Sequence, residues 1–334
     1  MTVFLTGGTG LLGSHVAQRL RQRDVEVVAL HRPSSDISFL VALGCRPVEG
    51  DVVDSPEALA RAMEGCRGVV HAAAHIYGGP SLEVVRAVNV EGTRNVARAA
   101  ASAGVANLVH ISSVAVYGDP PGEMDETTPL DAPLRERDYY GRTKREGEEL
   151  VRACHGRGGL DVSVLRPPAL YGERDRLFVP ELLAMLRWPV VFLLGSGRTK
   201  LAAVYAGNAA EAVERALAGR GAGEVFNVTH DVDVTQRDLL EGLAREGGAG
   251  PRFIPIPASL ARWGARWGDR LGITIPGSPD LPLRRVVRLA AADNPYPARK
   301  ARNVLGWSPP YSLEEALART RAWIRKEGRK KVRK

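Results

Sequence analysis

Tyr140 and Lys144 stand four residues apart in the segment Tyr140-Gly141-Arg142-Thr143-Lys144. On a helix that spacing places a phenol and an ammonium on one face, where both can reach one reacting atom. A tyrosine with its ordinary pKa of about 10 is a weak base at neutral pH, but an adjacent ammonium favours the phenolate. Such a phenol can pass the proton of a carbinol while a hydride moves at the neighbouring carbon. Tyr139 is out of register, because four residues on from it stands Thr143. Ser112 and Ser113 end an apolar run at 108–112 that reads as a strand. Open α/β sheets bind ligands at that carboxyl edge, and a hydroxyl there can orient the reacting oxygen. Asn89 sits inside a helical stretch, where asparagine is a poor former. It is a candidate support for Lys144, and a buried structural asparagine fits the position equally well.

A second constellation is Thr6-Gly7-Gly8-Thr9-Gly10-Leu11-Leu12-Gly13, between an apolar strand at 3–6 and a helix carrying Leu12, Val16 and Leu20. Glycines there permit a tight turn and close approach of the backbone to a pyrophosphate, and the helix N-terminus then holds the phosphates. Its place at the first strand-to-helix turn points to a dinucleotide, and a nicotinamide would supply the hydride chemistry that the Tyr–Lys pair suits. His31-Arg32 ends the second strand with no acidic residue. A guanidinium without a carboxylate suits the 2′-phosphate of NADP rather than the free hydroxyl of NAD; the plainer reading is a surface arginine ahead of Pro33. Asp51, after Gly50, is placed to accept a hydrogen bond from an adenine amino group or to serve a turn.

The elements that must position these residues alternate. Strands are expected at 25–30, 69–72, 108–112 and 162–165, with Ser55-Pro56 as a helix start and a long helix over 82–103 stopped by Gly104. After Arg166 the prolines Pro167, Pro168, Pro180 and Pro189 break the pattern, and a helix at 209–218 and a strand at 225–228 return to it. From 233 onward the chain reads as helical, ending in an amphipathic stretch over 313–324. The expected architecture is an α/β, Rossmann-type doubly wound parallel sheet with a smaller, mostly helical substrate lobe. Residues 1–166 plus about 201–232 would form the dinucleotide domain, and about 167–200 plus 233–334 the lobe.

Of the 334 residues 44% are hydrophobic and 25% charged, ordinary values for a globular chain. The net charge of +8 lies mostly in the last ten residues, where seven basic side chains face Glu327 alone. The body is near neutral, so no nucleic-acid partner is expected and the tail reads as a solvated helix end. Three scattered cysteines argue for reduced thiols, and against a disulfide framework or a bound metal. No apolar run is long enough to span a membrane, and the opening residues enter a strand without a leader, so a cytoplasmic protein is expected. Trp263 and Trp267 lie four apart on a helical stretch among Arg262 and Arg266. Core packing is the expected role of that stripe; a rim touching lipid or admitting a greasy substrate is the alternative.

The glycine turn, GDVVD (50–54), HAAA (71–74), NVEGT (89–93), SSVAVYG (112–118), YGRTK (140–144) and RPPALYG (166–172) follow one another in this order. As a set they resemble the extended short-chain dehydrogenase/reductases, the NAD-dependent epimerase/dehydratase family, densely to residue 172 and thinly beyond. HAAA departs from the commoner asparagine-led form. The resemblance implies Ser113, Tyr140 and Lys144 as the catalytic set, with Asn89 in support. It implies Thr6, Gly7, Gly10, Leu11, Leu12 and Gly13 at the pyrophosphate and His31 and Arg32 near the ribose. Asp51 and Val52 would then lie at the adenine, with Ala72, Ala73 and Ala74 lining the cofactor and Pro167, Pro168, Ala169 and Leu170 at the nicotinamide. Sugar-nucleotide members usually carry an arginine just before the strand where Leu201-Ala202 stand here. Asn208 and the ending KARNVLGWSPPYSLEEALARTRAW (300–323) are similar to 3β-hydroxysteroid dehydrogenase-like members. The implied activity is NADP-dependent interconversion of a secondary alcohol and a ketone on an apolar small-molecule substrate, NAD being the other cofactor. Lys200 or Arg198 could grip a phosphate instead, so a nucleotide-sugar epimerase or dehydratase is the alternative, and a non-catalytic NADP-sensing regulator a third reading. A homodimer is usual in the resembling family.

Overall fold

In the computed structural model, which describes residues 1–76, 81–118, 120–229, 234–244, 250–273 and 283–332, short β-branched runs form a parallel sheet. Arg333 and Lys334 of the basic tail lie outside the described residues, as do the side chains of Arg329, Lys330 and Lys331. The strands are β1 (Thr2–Thr6), β2 (Glu26–His31), β3 (Arg46–Glu49), β4 (Gly68–His71), β5 (Asn107–Ile111), β6 (Asp161–Arg166), β7 (Ala169–Tyr171), β8 (Val190–Leu194), β9 (Ala203–Tyr205), β10 (Val225–Asn227) and β11 (Arg252–Ile256). Seven of them make one sheet in the order β10-β6-β5-β4-β1-β2-β3. Every pairing in it is parallel; Val3, for example, lies in register with both Val27 and Gly68. All carboxyl ends therefore share one edge. The winding reverses between β1 and β4, and that switch point opens the crevice in which such sheets take ligands.

Helices cover both faces: α1 (Leu11–Arg21), α2 (Ser38–Ala42), α3 (Pro56–Ala62), α4 (Leu82–Arg86), α5 (Thr93–Ser102) and α6 (Tyr139–Arg152). The two-residue period of β1 sends Val3 and Leu5 to a core shared with α1, and Phe4 to the opposite core with Leu59, Val96 and Val151. Fully burying such a side chain stabilises the fold by roughly 1.5–3 kcal/mol. Ser55 caps α3 by accepting the amide of Ala58 at 3.3 Å, with Pro56 in the first turn. The long helix expected over 82–103 is present but widens into a π-helical turn, Ala87–Gly92, between α4 and α5. Asn89 sits in that turn, and π turns often accompany functional residues.

The rest comprises α7 (Phe178–Met185), α8 (Ala206–Leu217), α9 (Gln236–Ala244), α10 (Ala258–Arg270), α11 (Leu283–Ala291) and α12 (Leu313–Val332). It holds strands as well as helices. β8 pairs with β11 and β7 with β9, both in parallel. These pairs are short and carry or adjoin prolines, which hid them from a periodicity reading. Asn208 on α8 binds Tyr311 twice, donating to its carbonyl at 3.0 Å and accepting its amide at 2.9 Å, and so anchors the approach to α12. The expectation that Trp263 and Trp267 fill a core is overturned: both are exposed. α10 turns its small residues Ala265 and Gly268 inward instead. A Cβ on Gly268 would stand 2.5 Å from Leu283 of α11, so the close helix pair leaves no room for indoles on that side.

Candidate active site

The glycine turn is shaped by what a side chain would strike. Gly7 has φ +72°, and a Cβ there would stand 2.6 Å from the backbone of Ala72 and Ala73. A Cβ on Gly13 would stand 2.1 Å from the Gly7 carbonyl oxygen. Gly10 is looser, meeting only that oxygen, at 3.2 Å. α1 starts at this turn with Gly10 as its cap residue, with no side-chain cap and no acidic residue in its first turn. The amides of Leu11, Leu12 and Gly13 are thus presented to a ligand, a cradle that fits a pyrophosphate. Ala72 and Ala73, leaving β4, lie against Gly7, and Ala74 follows them, half-buried.

Behind the cradle runs a chain of hydrogen bonds. The Ala73 amide donates to Thr6 Oγ1 at 3.2 Å, and Thr6 Oγ1 lies 2.8 Å from His71 Nδ1. His71 Nε2 lies 2.9 Å from Thr93 Oγ1, whose proton goes to the Asn89 carbonyl at 2.7 Å. Because the Thr93 proton is committed, Nε2 must donate to it, and Nδ1 accepts from Thr6. That tautomer is neutral. Burial pushes the His71 pKa down to about 3, and the Lys144 ammonium adds to the shift. Asn89 then donates from Nδ2 to Thr143 Oγ1 at 3.0 Å, and Thr143 donates to the Tyr139 carbonyl at 2.7 Å. Asn89 also brackets His75, accepting its amide at 2.7 Å and donating to its carbonyl at 2.9 Å. Its side chain therefore meets Thr143 and His75 rather than Lys144.

α6 begins at Tyr139 because Asp138 accepts the Gly141 amide at 2.9 Å. Tyr140 is half-buried in its first turn. Lys144, one turn on, is buried and donates from Nζ to the Ile111 carbonyl at 2.5 Å. Burial pushes its pKa down to about 8, against the pull of the Glu148 carboxylate. Arg145, the next residue, donates from Nε and Nη2 to the Val116 carbonyl at 2.9 and 2.7 Å and from Nη2 to Ala132 at 3.0 Å. Lys144 and Arg145 thus fasten the helix to the chain just before and just after Ser113. Gly147 permits this approach, since a Cβ there would stand 2.6 Å from the Asn89 carbonyl oxygen.

The two serines separate by role. Ser112 donates to Glu148 at 2.6 Å, and Glu148 forms a buried ion pair with Arg166, Nε to Oε2 at 3.0 Å. Ser113 caps the short turn Val114–Tyr117, its Oγ accepting the Ala115 amide at 3.1 Å, which leaves its own proton for another partner. Pro167 borders this turn through its carbonyl, which accepts the Val114 amide at 3.1 Å; Pro168 is buried, Ala169 exposed and Leu170 half-buried. At the far end of the crevice His31 closes β2 and Arg32 is exposed just beyond it. Asp51 accepts the Val53 amide at 3.4 Å and its own amide is held by Asp54 at 2.7 Å, so it shapes a turn. Val52 is buried and its carbonyl accepts from Asn95 at 3.3 Å. His71, Thr93, Thr143 and Arg145 were not singled out from the sequence, although HAAA and NVEGT contain the first two. Among the described residues no acidic, histidine or cysteine cluster could hold a metal ion.

Known proteins resemble this chain in sequence and in fold. A ketoreductase of Stigmatella aurantiaca, acting on 4-hydroxy-2-methyl-3-oxo-4-farnesyl-3,4-dihydroquinoline-1-oxide, is 31% identical over 320 residues, 95% of each chain. A 3β-hydroxysteroid dehydrogenase/decarboxylase of Arabidopsis thaliana is 30% identical over 95% of this chain, which spans 60% of that longer protein. Among solved structures, MoeE5 in complex with UDP-glucuronic acid and NAD superposes with a TM-score of 0.71 at 26% identity, covering 98% of this chain and 100% of the other. Residues 3–229, from the first strand through the glycine cradle, the Ser113 turn and the Tyr–Lys helix to the end of the sheet, match the model of one enzyme family. The chain therefore belongs to the NAD dependent epimerase/dehydratase family.

Proposed function

We propose that this protein interconverts a secondary alcohol and a ketone on an apolar small molecule, with NADP(H) as its cofactor. The observation that supports the reading is the double fastening of α6: Lys144 on Ile111 and Arg145 on Val116 tie the helix that carries Tyr140 to the chain on either side of Ser113. A bound nicotinamide supplies the hydride for reduction. Ser113 donates its free proton to the carbonyl oxygen and orients it, and Tyr140 delivers the phenolic proton to that oxygen. Lys144 stabilises the phenolate left behind, and the chain from Ala73 through His71 and Asn89 to Thr143 keeps cradle and helix in register. Arg32 at the end of β2, without an acidic neighbour, supports NADP over NAD.

The apolar substrate is supported at the lobe. Leu201 packs with Tyr171 and Tyr205, and Ala202 against Val116 and Tyr117, where a phosphate grip would need a cation. The ketoreductase and steroid dehydrogenase relatives act on compounds of that kind. In this reading residues 1–166 with about 201–232 hold the dinucleotide and the remainder shapes the substrate cleft. Replacing Tyr140 by Phe and following NADPH consumption against a panel of hydrophobic ketones tests it. A loss of about 10²–10⁴ in turnover with NADPH binding retained is expected; unchanged turnover overturns it. The structural likeness to MoeE5, solved with UDP-glucuronic acid and NAD, favours one second reading, a nucleotide-sugar epimerase or dehydratase. Micromolar binding of a UDP-sugar, with the cofactor returned unchanged, would select it.

A further inference from the structure

We infer that α10 is an interfacial helix that seats the protein on an anionic lipid surface. The inference stands independently of the substrate reading. Leu260, Trp263, Trp267 and Leu271 recur at spacings of three and four and so lie along one stripe at and just beyond α10. They are 54%, 61%, 48% and 75% exposed. The face that packs on the fold is a different one, carrying Ala265 and Gly268. A stripe of two indoles and two leucines left in water is costly for a helix whose small residues already suffice to dock it. Ile273, just after the helix, is exposed as well.

The flank of the stripe says what covers it. Arg262, Arg266 and Arg270 follow the same helical spacing on the side next to the tryptophans, and all three are exposed. The Arg270 guanidinium lies over the Trp267 ring at 5.5 Å, and the two indoles meet edge to face at 6.3 Å. Trp263, Arg266, Trp267, Asp269, Arg270 and Arg284 line a surface pocket, in which Asp269 pairs with Arg284 at 2.6 Å. α10 and its packed partner α11 together carry six arginines against Asp269 alone. Indoles prefer the boundary between headgroup and hydrocarbon, and arginines beside them reach headgroup phosphates. A protein partner would be matched by an acidic surface; a bilayer offers apolar depth and negative charge in one plane. No helix among the described residues is long and apolar enough to cross a membrane, so the contact is peripheral.

The test uses the full chain and vesicles of phosphatidylcholine and phosphatidylglycerol in equal parts, with pure phosphatidylcholine beside them. Flotation and indole fluorescence report binding. Binding to the anionic vesicles is expected, with a blue shift of emission and weakening as salt rises. The double variant W263S/W267S should bind about tenfold or more weakly. R262E and R266E should each lower affinity by about fivefold or more, the effect of losing one cation near the surface. An unchanged far-UV spectrum and midpoint of unfolding show that the variants remain folded. Failure of the parent to bind anionic vesicles, or equal binding by W263S/W267S, overturns the inference. So does concentration-dependent self-association that W263S/W267S abolishes in the absence of vesicle binding, since a second copy would then be the occupant.

Discussion

The Thr6 hydroxyl and the His71 imidazole meet at 2.8 Å, with the hydroxyl donating to Nδ1, and this contact joins the turn after β1 to the end of β4. The far side of the ring is committed to Thr93 at 2.9 Å, so both nitrogens are used only while the ring is neutral. The folded pKa of about 3 lies below the ordinary 6.5, so acid favours the unfolded chain. As pH falls below 6.5 the unfolded chain takes up a proton that the folded one refuses, and stability is lost until about pH 3 is reached. At pH 5 the loss from His71 is about 2 kcal/mol. His15, pushed down to about 4 mainly by burial, adds to it over the range from 6.5 to 4. Chemical denaturation at pH 7 and pH 5 should show this loss, and His71→Gln should shrink the difference; an equal difference in the variant contradicts the assignment.

In the proposed reading Arg145 is a positioning residue. Its guanidinium binds the carbonyls of Val116 and Ala132, one turn from Tyr140 and just past Ser113. Arg145→Met should lower kcat by up to about a hundredfold, as a misplacement of about an ångström does. The KM for the cofactor should move little, because the glycine cradle is untouched. Steady-state kinetics read the split, and an unchanged kcat would dismiss the role.

Gly10 and Gly13 should respond differently to the same methyl group. At Gly13 the new carbon would collide with the Gly7 carbonyl at 2.1 Å, so Gly13→Ala should destabilise the fold itself. At Gly10 the nearest atom is 3.2 Å away, so Gly10→Ala should unfold close to the parent midpoint. It should nonetheless bind dinucleotide at least tenfold more weakly, because a methyl at the start of α1 hinders the close backbone approach that a pyrophosphate needs. Thermal melts with calorimetric titration separate the two, and full affinity in Gly10→Ala would move the phosphates elsewhere.

Arg32 is exposed beyond the end of β2, and its substitution should leave stability nearly unchanged. Arg32→Glu places a carboxylate where a 2′-phosphate would lie, and should lower the ratio of kcat/KM for NADPH over NADH by about tenfold or more. A ratio unaffected by the exchange would remove the case for NADP.

The sheet, and the place of Tyr140 and Lys144 on one helix, are legible because local rules fix them. Tyr140 and Lys144 share a helix face by spacing, and the glycines of 6–13 are demanded by a tight turn. What stayed hidden depends on partners remote in the chain. Thr6 and His71 are 65 residues apart and Arg145 and Val116 are 29 apart, so neither pairing leaves a periodic trace. Asn89 reads as a misfit in a helix, but its side-chain partners, His75 and Thr143, lie 14 residues before and 54 residues after it. β7 and β9, at three residues each, are too short to show an alternation. Trp263 and Trp267 were misjudged because four-residue spacing identifies a face without saying what covers it. The glycine at 268 decided that, by letting α11 occupy the other side.

In the proposed reading the uncapped start of α1 links the stability of the fold to its cofactor. Bound dinucleotide phosphates would satisfy the leading amides of that helix, and ligand binding raises stability by about 2.7 kcal/mol when the free concentration is a hundred times the dissociation constant. Protein stripped of it should open and be cut by proteases more readily, which limited proteolysis with and without the dinucleotide would read.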